Sequence, residues 1–175
     1  MNLFEAYYLE FDIGSIITKV KETIKGVPQN NPHHIYDLLG HTEKVVEYLQ
    51  KMGAGHDVIL AGWLHDVGKA ATREENKEKG HDTFYNHAKA SLDWIQANCP
   101  DIPQSVKDLV QHHDLINDSA IDKTMKRYTR RYGKEWMMKM FLLKEADIEA
   151  QEPSRKQQKL ERVAKFREVV KNFES

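Results

Sequence analysis

The sequence predicts an all-α protein, a compact bundle of about eight helices. Three observations carry that prediction. Apolar residues recur at helical spacing along most of the chain, and no stretch alternates apolar and polar residues as a half-buried strand would. Gly53, Gly68, Gly133, Pro100, Pro103 and Pro153 punctuate the periodic segments. The composition, 40% apolar and 30% charged over 175 residues, is that of a globular chain long enough for a real core.

The elements follow in order. A first helix is expected near residues 13–25, ended by "GVPQNNP". The second runs from about 35 to 52 and stops at Gly53. The third runs over 57–67, with Gly68 as a left-handed C-terminal stop. "TREENKEKGHD" (72–82) mixes both signs of charge and reads as a solvated loop. A helix over 83–98 is closed by Cys99 and Pro100. Pro103 fits the first turn of another, reaching His113. Two further helices, 121–132 and 134–151, are separated by Gly133, and a final basic helix (153–175) follows Pro153. No internal boundary stands out, so residues 1–175 read as a single domain.

The bulk numbers exclude several classes. No apolar run approaches the ~20 residues of a membrane span, so no membrane partner is expected. The opening "MNLFEAYYLEFD" is acidic and lacks the basic region of a signal peptide. The single cysteine, Cys99, allows no disulfide within the chain and fits a reducing, cytoplasmic setting. A net charge of -1 argues against a protein whose main business is coating nucleic acid. Histidine stands out: there are nine, several beside apolar runs.

Placed on helices, these histidines fall on inward faces. His41 lies in the stripe Leu38, His41, Val45, Leu49, Met52. His65 belongs with Val58 and Ala61, and is followed by Asp66. His87 belongs with Phe84, Ser91, Trp94 and Ile95, and Asp147 with Met140, Leu143 and Ala150. A lone inward histidine is more often a hydrogen-bonded core residue than a ligand. Four helices each burying a potential ligand, one of them with an adjacent carboxylate, need a shared partner. The cheapest is a cation: Mn, Fe, Co, Ni or Zn suits imidazole and carboxylate, with Mg also admitted, as one or two ions. A single cysteine excludes a thiolate-rich structural zinc site. Trp63, Trp94, Trp136 and the group Met137, Met138, Met140 read as core.

His41, then "HD" at 65–66, then a late Asp147 resembles the H…HD…D pattern of the HD superfamily of metal-dependent phosphohydrolases. "PHHIYDLLGHTEKVVEYL", "LAGWLHDVGKAAT", "FYNHAKAS", "LVQHHDL" and "LLKEADIEAQ" occur in that order and together resemble the HD domain of bacterial tRNA nucleotidyltransferases, over residues 32–151. The residues before 32 leave no room for a nucleotidyltransferase domain, so CCA addition is not expected. The resemblance implies that His41, His65, Asp66 and Asp147 hold a first metal. It adds His87 and a histidine of "VQHHD" for a second. Family spacing favours His112. Helical geometry favours His113, nearer the centre of the stripe Ile102, Val106, Leu109, Val110.

The resemblance further implies that Asp66 orients or deprotonates the attacking water and that Lys69 meets a phosphate. The alternative for Lys69 is a surface lysine favoured by a helix C-terminus. "KTMKRYTRRYGK" (123–134) carries six basic residues and no acidic one. Arg127, Arg130 and Arg131 share its basic face, which is either solvated or directed at the phosphates of a substrate or nucleic acid. The leading expectation is a phosphomonoesterase or phosphodiesterase acting on a nucleotide, a cyclic phosphate or a nucleic-acid terminal phosphate. The competing ones are a non-catalytic RNA- or nucleotide-binding HD module and a di-iron oxygenase using His87 and His112.

Overall fold

The computed structural model describes residues 12–30, 32, 34–117 and 119–174. The acidic opening segment up to residue 11 lies outside them. The fold is helical, as expected, with one small sheet. In chain order the elements are α1 (Ile13–Ile24), α2 (Leu38–Lys51), α3 (His56–Leu64), α4 (Lys69–Thr72), β1 (Arg73–Asn76), β2 (His81–Phe84), α5 (His87–Asn98), α6 (Gln104–His112), α7 (Asp122–Glu149), a 3-10 turn (Pro153–Arg155) and α8 (Lys156–Lys171). Among the described residues no helix is long and apolar enough to cross a membrane.

Each helix forms where the pattern and the caps agree. Asp12 accepts the amide of Ser15 and starts α1, whose Ile13, Ile16, Val20 and Ile24 form one buried stripe. Asp37 caps α2 by accepting the Gly40 amide at 2.7 Å. That helix buries Leu38, His41, Val45 and Leu49, while Met52, grouped with them by spacing, is 40% exposed. Helix α3 buries Val58 and every residue from Leu60 to Leu64, so it is the central element, packed by α1, α2, α6 and α7. Gly133 (φ 86°, ψ 162°) breaks the helical path of α7, the interruption its place between two periodic segments predicts. Below it, Met137, Met140, Phe141 and Leu143 join the core, onto which α8 adds Val163, Phe166 and Val170.

Two expectations are corrected. The segment read as a solvated loop is an antiparallel hairpin, in register from Arg73 opposite Phe84 to Asn76 opposite His81. Its strands carry almost no apolar residues, so no alternation announced them. A charge pair holds them instead: Arg73 donates from Nε (2.8 Å) and a terminal nitrogen (3.1 Å) to Asp82, which is 2% exposed. Asp82 also exchanges backbone and side-chain bonds with Asn30, tying the hairpin to the loop before α2. Because Thr83 and Phe84 belong to β2, α5 starts at His87 rather than 83.

The second correction concerns Gly68. It is not a left-handed stop: its φ of -67° and ψ of -16° are right-handed, and α3 has already ended at Leu64. The glycine is required by a close approach. A Cβ there would lie 2.3 Å from both the carbonyl oxygen of His87 and the amide nitrogen of Ser91. The Ser91 hydroxyl accepts the Gly68 amide (2.9 Å) and donates to the His65 carbonyl (3.0 Å), so the turn 65–68 is locked onto the first turn of α5.

Gly68→Ala must therefore move backbone, and is expected to cost about 1–3 kcal/mol or more in chemical denaturation. Gly62→Ala, where the obstacle is only the tip of Leu49, is expected to cost less. For Asp82, burial would raise the carboxyl, but Arg73 and the Asn30 amide hold it below the usual carboxylate range. Its stabilisation is complete above the unfolded value of about 3.9 and is lost as pH falls through the lower folded value. Asp82→Asn is thus expected to cost about 1–2 kcal/mol at pH 7, a difference that closes in acid unfolding curves below about pH 4.

Candidate metal centre

Five segments converge at one end of α3. Helix α2 brings His41, the turn after α3 brings His65 and Asp66, α5 opens with His87, His113 caps the end of α6, and the C-terminal half of α7 brings Asp147. His41 is 0%, His65 1%, Asp66 2% and His113 4% exposed.

Asp66 is the centre of the geometry. Its Oδ2 lies 3.2 Å from His65 Nε2 and 3.7 Å from His41 Nε2. Its Oδ1 lies 3.4 Å from His87 Nε2 and 3.5 Å from His113 Nε2. Asp147 Oδ1 approaches His41 Nε2 to 3.2 Å. The donor atoms fall into two groups, His41–His65–Asp66 and Asp66–His87–His113, that share only Asp66.

Backbone carbonyls orient the rings. Nδ1 of His65, His87 and His113 each lies 2.7–2.9 Å from the carbonyl three residues earlier, of Gly62, Phe84 and Val110 respectively. A carbonyl only accepts, so each Nδ1 donates and each neutral ring presents a bare Nε2 lone pair inward. Three buried atoms of the group, His41 Nε2, His65 Nε2 and Asp66 Oδ1, have no hydrogen-bond partner. Nε2 of His87 and His113 meet at 2.9 Å, lone pair against lone pair in this tautomer. Ligands about 2.1 Å from one ion at right angles are about 3.0 Å apart, so these spacings suit a shared cation. Borderline imidazole and hard carboxylate donors are the set a first-row divalent ion takes. The residues present fit such an ion.

The charges around them are ordered. Burial would raise the Asp66 carboxyl, but His65 and Lys69 hold it well below its usual range. Burial opposes ionisation of Asp147 too, and Lys144 and His41 overcome it. Burial alone would depress His65, yet Asp66 lifts it, so any proton there competes with a metal for the same nitrogen. His34 packs edge-on against His41 with centroids 4.9 Å apart, and burial, reinforced by Lys69 and His41, takes it down to about 3. It is therefore neutral near pH 7.

The structure separates residues that the sequence left together. His112 is corrected: it points away from Asp66, its Nε2 3.0 Å from the Tyr132 hydroxyl, among Tyr128, Tyr132 and Trp136. The α6 axis turns successive side chains apart, so only one of the adjacent histidines can face the centre. Lys69 is not a surface lysine at a helix C-terminus. It is 7% exposed and begins α4, with Nζ 2.7 Å from Asp66 Oδ2 and 3.2 Å from Gln29 Oε1. Arg127, Arg130 and Arg131 do not line the cleft. Their guanidinium groups lie over Tyr128, Phe173 and Tyr132.

Sequence reasoning missed three groups beside the centre. Asp114 Oδ2 sits 3.3 Å from His87 Nε2 and 3.6 Å from His113 Nε2 at the mouth of the cleft. Lys144 lies between Asp147 (2.8 Å) and Asp114 (3.6 Å). Gln151 donates to Asp147 Oδ1 at 3.0 Å. A signal existed: Lys144 and Gln151 stand three before and four after Asp147, on the same helical face.

After loading with Zn, elemental analysis is expected to find one ion fewer per chain in His113→Gln than in the wild type. His112→Phe is expected to keep the wild-type number. The reverse ranking would return His112 to the ligand set.

A family model described as HD domain matches residues 38–165, a span that contains every member of both donor groups. That match covers most of the chain and the convergence just described, and the chain belongs to the HD domain family.

Proposed function

We propose that the protein is a divalent-metal-dependent phosphohydrolase acting on a nucleotide, a cyclic phosphate or a nucleic-acid terminal phosphate. The observation that carries this reading is Asp66, buried with one oxygen toward His41 and His65 and the other toward His87 and His113. Family membership supports the hydrolase class.

In this reading His41, His65, Asp66 and Asp147 hold one ion, and Asp66, His87 and His113 hold a second. Mn, Fe, Co, Ni and Zn suit the imidazole-rich set, with Mg admitted on the carboxylates. When bound, the ions polarise a phosphoryl oxygen and lower the pKa of water. Asp66, kept ionised by His65 and Lys69, would orient the attacking water, whose proton would pass to solvent at the open mouth. The Lys69 ammonium, on the cleft wall, neutralises charge on the phosphoryl oxygens. The water oxygen bonds to phosphorus, the ester P–O bond breaks, and the leaving oxygen takes a proton from solvent at the open mouth.

A second reading has one specific observation in its favour. Tyr128 and Tyr132, both half-buried, stack on each other with Arg127 and Arg131 beside them, a pairing that suits a single-stranded RNA held without turnover. Turnover decides between the two. With Mn, Co, Ni or Mg, the wild type is expected to hydrolyse p-nitrophenyl phosphate or its bis ester. Asp66→Asn is expected to lower kcat by about 10²-fold or more with the fold intact by circular dichroism. Wild-type rates in that variant would sink the mechanism.

A further inference from the structure

A second adjacent His–Asp pair lies at the centre, and its form repeats the first. His65–Asp66 follows α3 and His113–Asp114 follows α6, each in the turn directly after the helix. In both, the histidine Nδ1 lies 2.7–2.8 Å from the carbonyl three residues earlier, which turns Nε2 toward the following carboxylate. Nε2 is 3.2 Å from Asp66 Oδ2 in one pair and 3.6 Å from Asp114 Oδ2 in the other.

Asp114 stands to the His87–His113 group as Asp147 stands to the His41–His65 group. Asp147 Oδ1 meets one imidazole, His41, at 3.2 Å. Asp114 Oδ2 meets two, His87 Nε2 at 3.3 Å and His113 Nε2 at 3.6 Å. The two outer carboxylates share one counter-ion: Lys144 Nζ lies 2.8 Å from Asp147 Oδ2 and 3.6 Å from Asp114 Oδ1. Lysine thus takes Oδ1 of Asp114 and leaves Oδ2 to the imidazoles.

Those Oδ2 contacts are not hydrogen bonds in the neutral tautomers. His87 and His113 direct their Nδ1 protons at the Phe84 and Val110 carbonyls, so Oδ2 meets two bare Nε2 lone pairs. Asp66 Oδ1, buried and without a hydrogen bond, meets the same two lone pairs at 3.4 and 3.5 Å. The two Nε2 atoms are themselves 2.9 Å apart. Four electron-rich atoms therefore approach one another with no proton between them. Ligands about 2.1 Å from one ion are about 3.0 Å apart at right angles and about 3.4 Å apart at tetrahedral angles, close to all of these spacings.

Resting on the two-ion form of the phosphohydrolase reading, we propose that Asp114 is a ligand of the second ion. Each ion then takes two imidazoles, the shared Asp66 and one carboxylate of its own, with Lys144 between the two outer carboxylates. Matched donor sets suit the same first-row divalent ions on both sides. The sides differ in access. The Asp114 side chain is 55% exposed and that of Asp147 10%, so the second ion is reached from solvent through Asp114 and is the more readily exchanged of the two.

The test reads metal binding rather than turnover. Calorimetric titration of the metal-free wild type with Zn is expected to show two ions per chain. Asp114→Ala is expected to weaken the second by about tenfold or more and to leave the first unchanged, with the fold intact by circular dichroism. Asp114→Glu, which keeps the carboxylate, is expected to recover part of the lost affinity. Asp108→Asn, which removes a carboxylate from α6 outside the cleft, is expected to bind both ions as the wild type does. Loading with Co separates a ligand from a nearby charge. Loss of a ligand changes the visible absorption of the second cobalt, whereas loss of a nearby charge changes affinity alone. Asp114→Ala is expected to change that absorption.

Two ions in the wild type with an unaltered second affinity in Asp114→Ala would overturn the proposal and leave the two-ion reading standing. So would an equal weakening in Asp108→Asn, or weaker binding with an unaltered cobalt spectrum. A wild type that binds a single ion would defeat the two-ion reading itself, and the proposal with it.

Discussion

The Asp66 carboxylate, 2% exposed and placed between four imidazoles, is the constraint that the rest of the structure serves. A buried carboxylate is stable only when compensated on both oxygens. Oδ2 has the Lys69 ammonium at 2.7 Å, whereas Oδ1 faces His87 and His113 without a hydrogen bond, a compensation that a cation would complete. The surrounding backbone makes that placement achievable. Helix α3 stops at Leu64, so the chain can turn and bring Asp66 off the helical path. Gly68 lets that turn touch α5 directly, and the buried Ser91 hydroxyl joins the two by accepting from one side and donating to the other. One hydroxyl thus ties the turn that carries His65 and Asp66 to the helix that carries His87.

The arrangement also explains why the centre sits in so apolar a setting. Leu38, Val45, Leu49, Leu64, Val106, Leu109 and Met140, each almost fully buried, lie on the helices that deliver the ligands. At roughly 1.5–3 kcal/mol for each fully buried large apolar side chain, this core can carry a group of polar atoms left without hydrogen bonds. Those atoms, His41 Nε2, His65 Nε2 and Asp66 Oδ1, are stability given up at the place where a cation would recover it. Packing around them also holds the rings in fixed rotamers, so the donor spacing is a property of the core rather than of a loop.

Much of this was legible in the sequence, and the parts that were not share a cause. Helical stripes place His41, His65 and Asp147 inward because a helix converts spacing into direction. The same rule, applied to the stripe from Ile102 to Val110, points to His113, whereas matching of spacings between relatives points to His112. The residue that faces Asp66 is His113. The hairpin at 73–84 was illegible because its signal is not periodicity but one ion pair, Arg73–Asp82, between residues nine apart. Gly68 was legible as a special position and illegible in its reason, since a close approach to α5 exists only after folding. Charge counting left the basic run 123–134 open between a solvated face and one directed at the site. The densest basic run, 123–134, lies on α7 away from the cleft, while the cleft draws on the sparser charges of α8. Composition measures how many charges a helix carries; which helix end meets the site is a tertiary fact.

The two donor groups do not stand on equal footing in the fold. His41 and Asp147 come from the first turn of α2 and the last turn of α7, helices that pack directly against each other and against α3. His87 and His113 come from the first residue of α5 and the residue that ends α6, where the helical hydrogen-bond ladder gives out. His87 takes its orientation from the Phe84 carbonyl at the end of β2, and β2 is held by Asp82 to Arg73 and to Asn30. His41 and Asp147 are therefore held by helices packed in the core, whereas His87 is held by a short chain of polar contacts through a hairpin. Loosening any one contact in that chain shifts His87 without touching the core. Asp66 thus links donors carried by core-packed helices to a histidine oriented by the hairpin, so an ion bound beside His87 would be open to tuning through the Arg73–Asp82 contact.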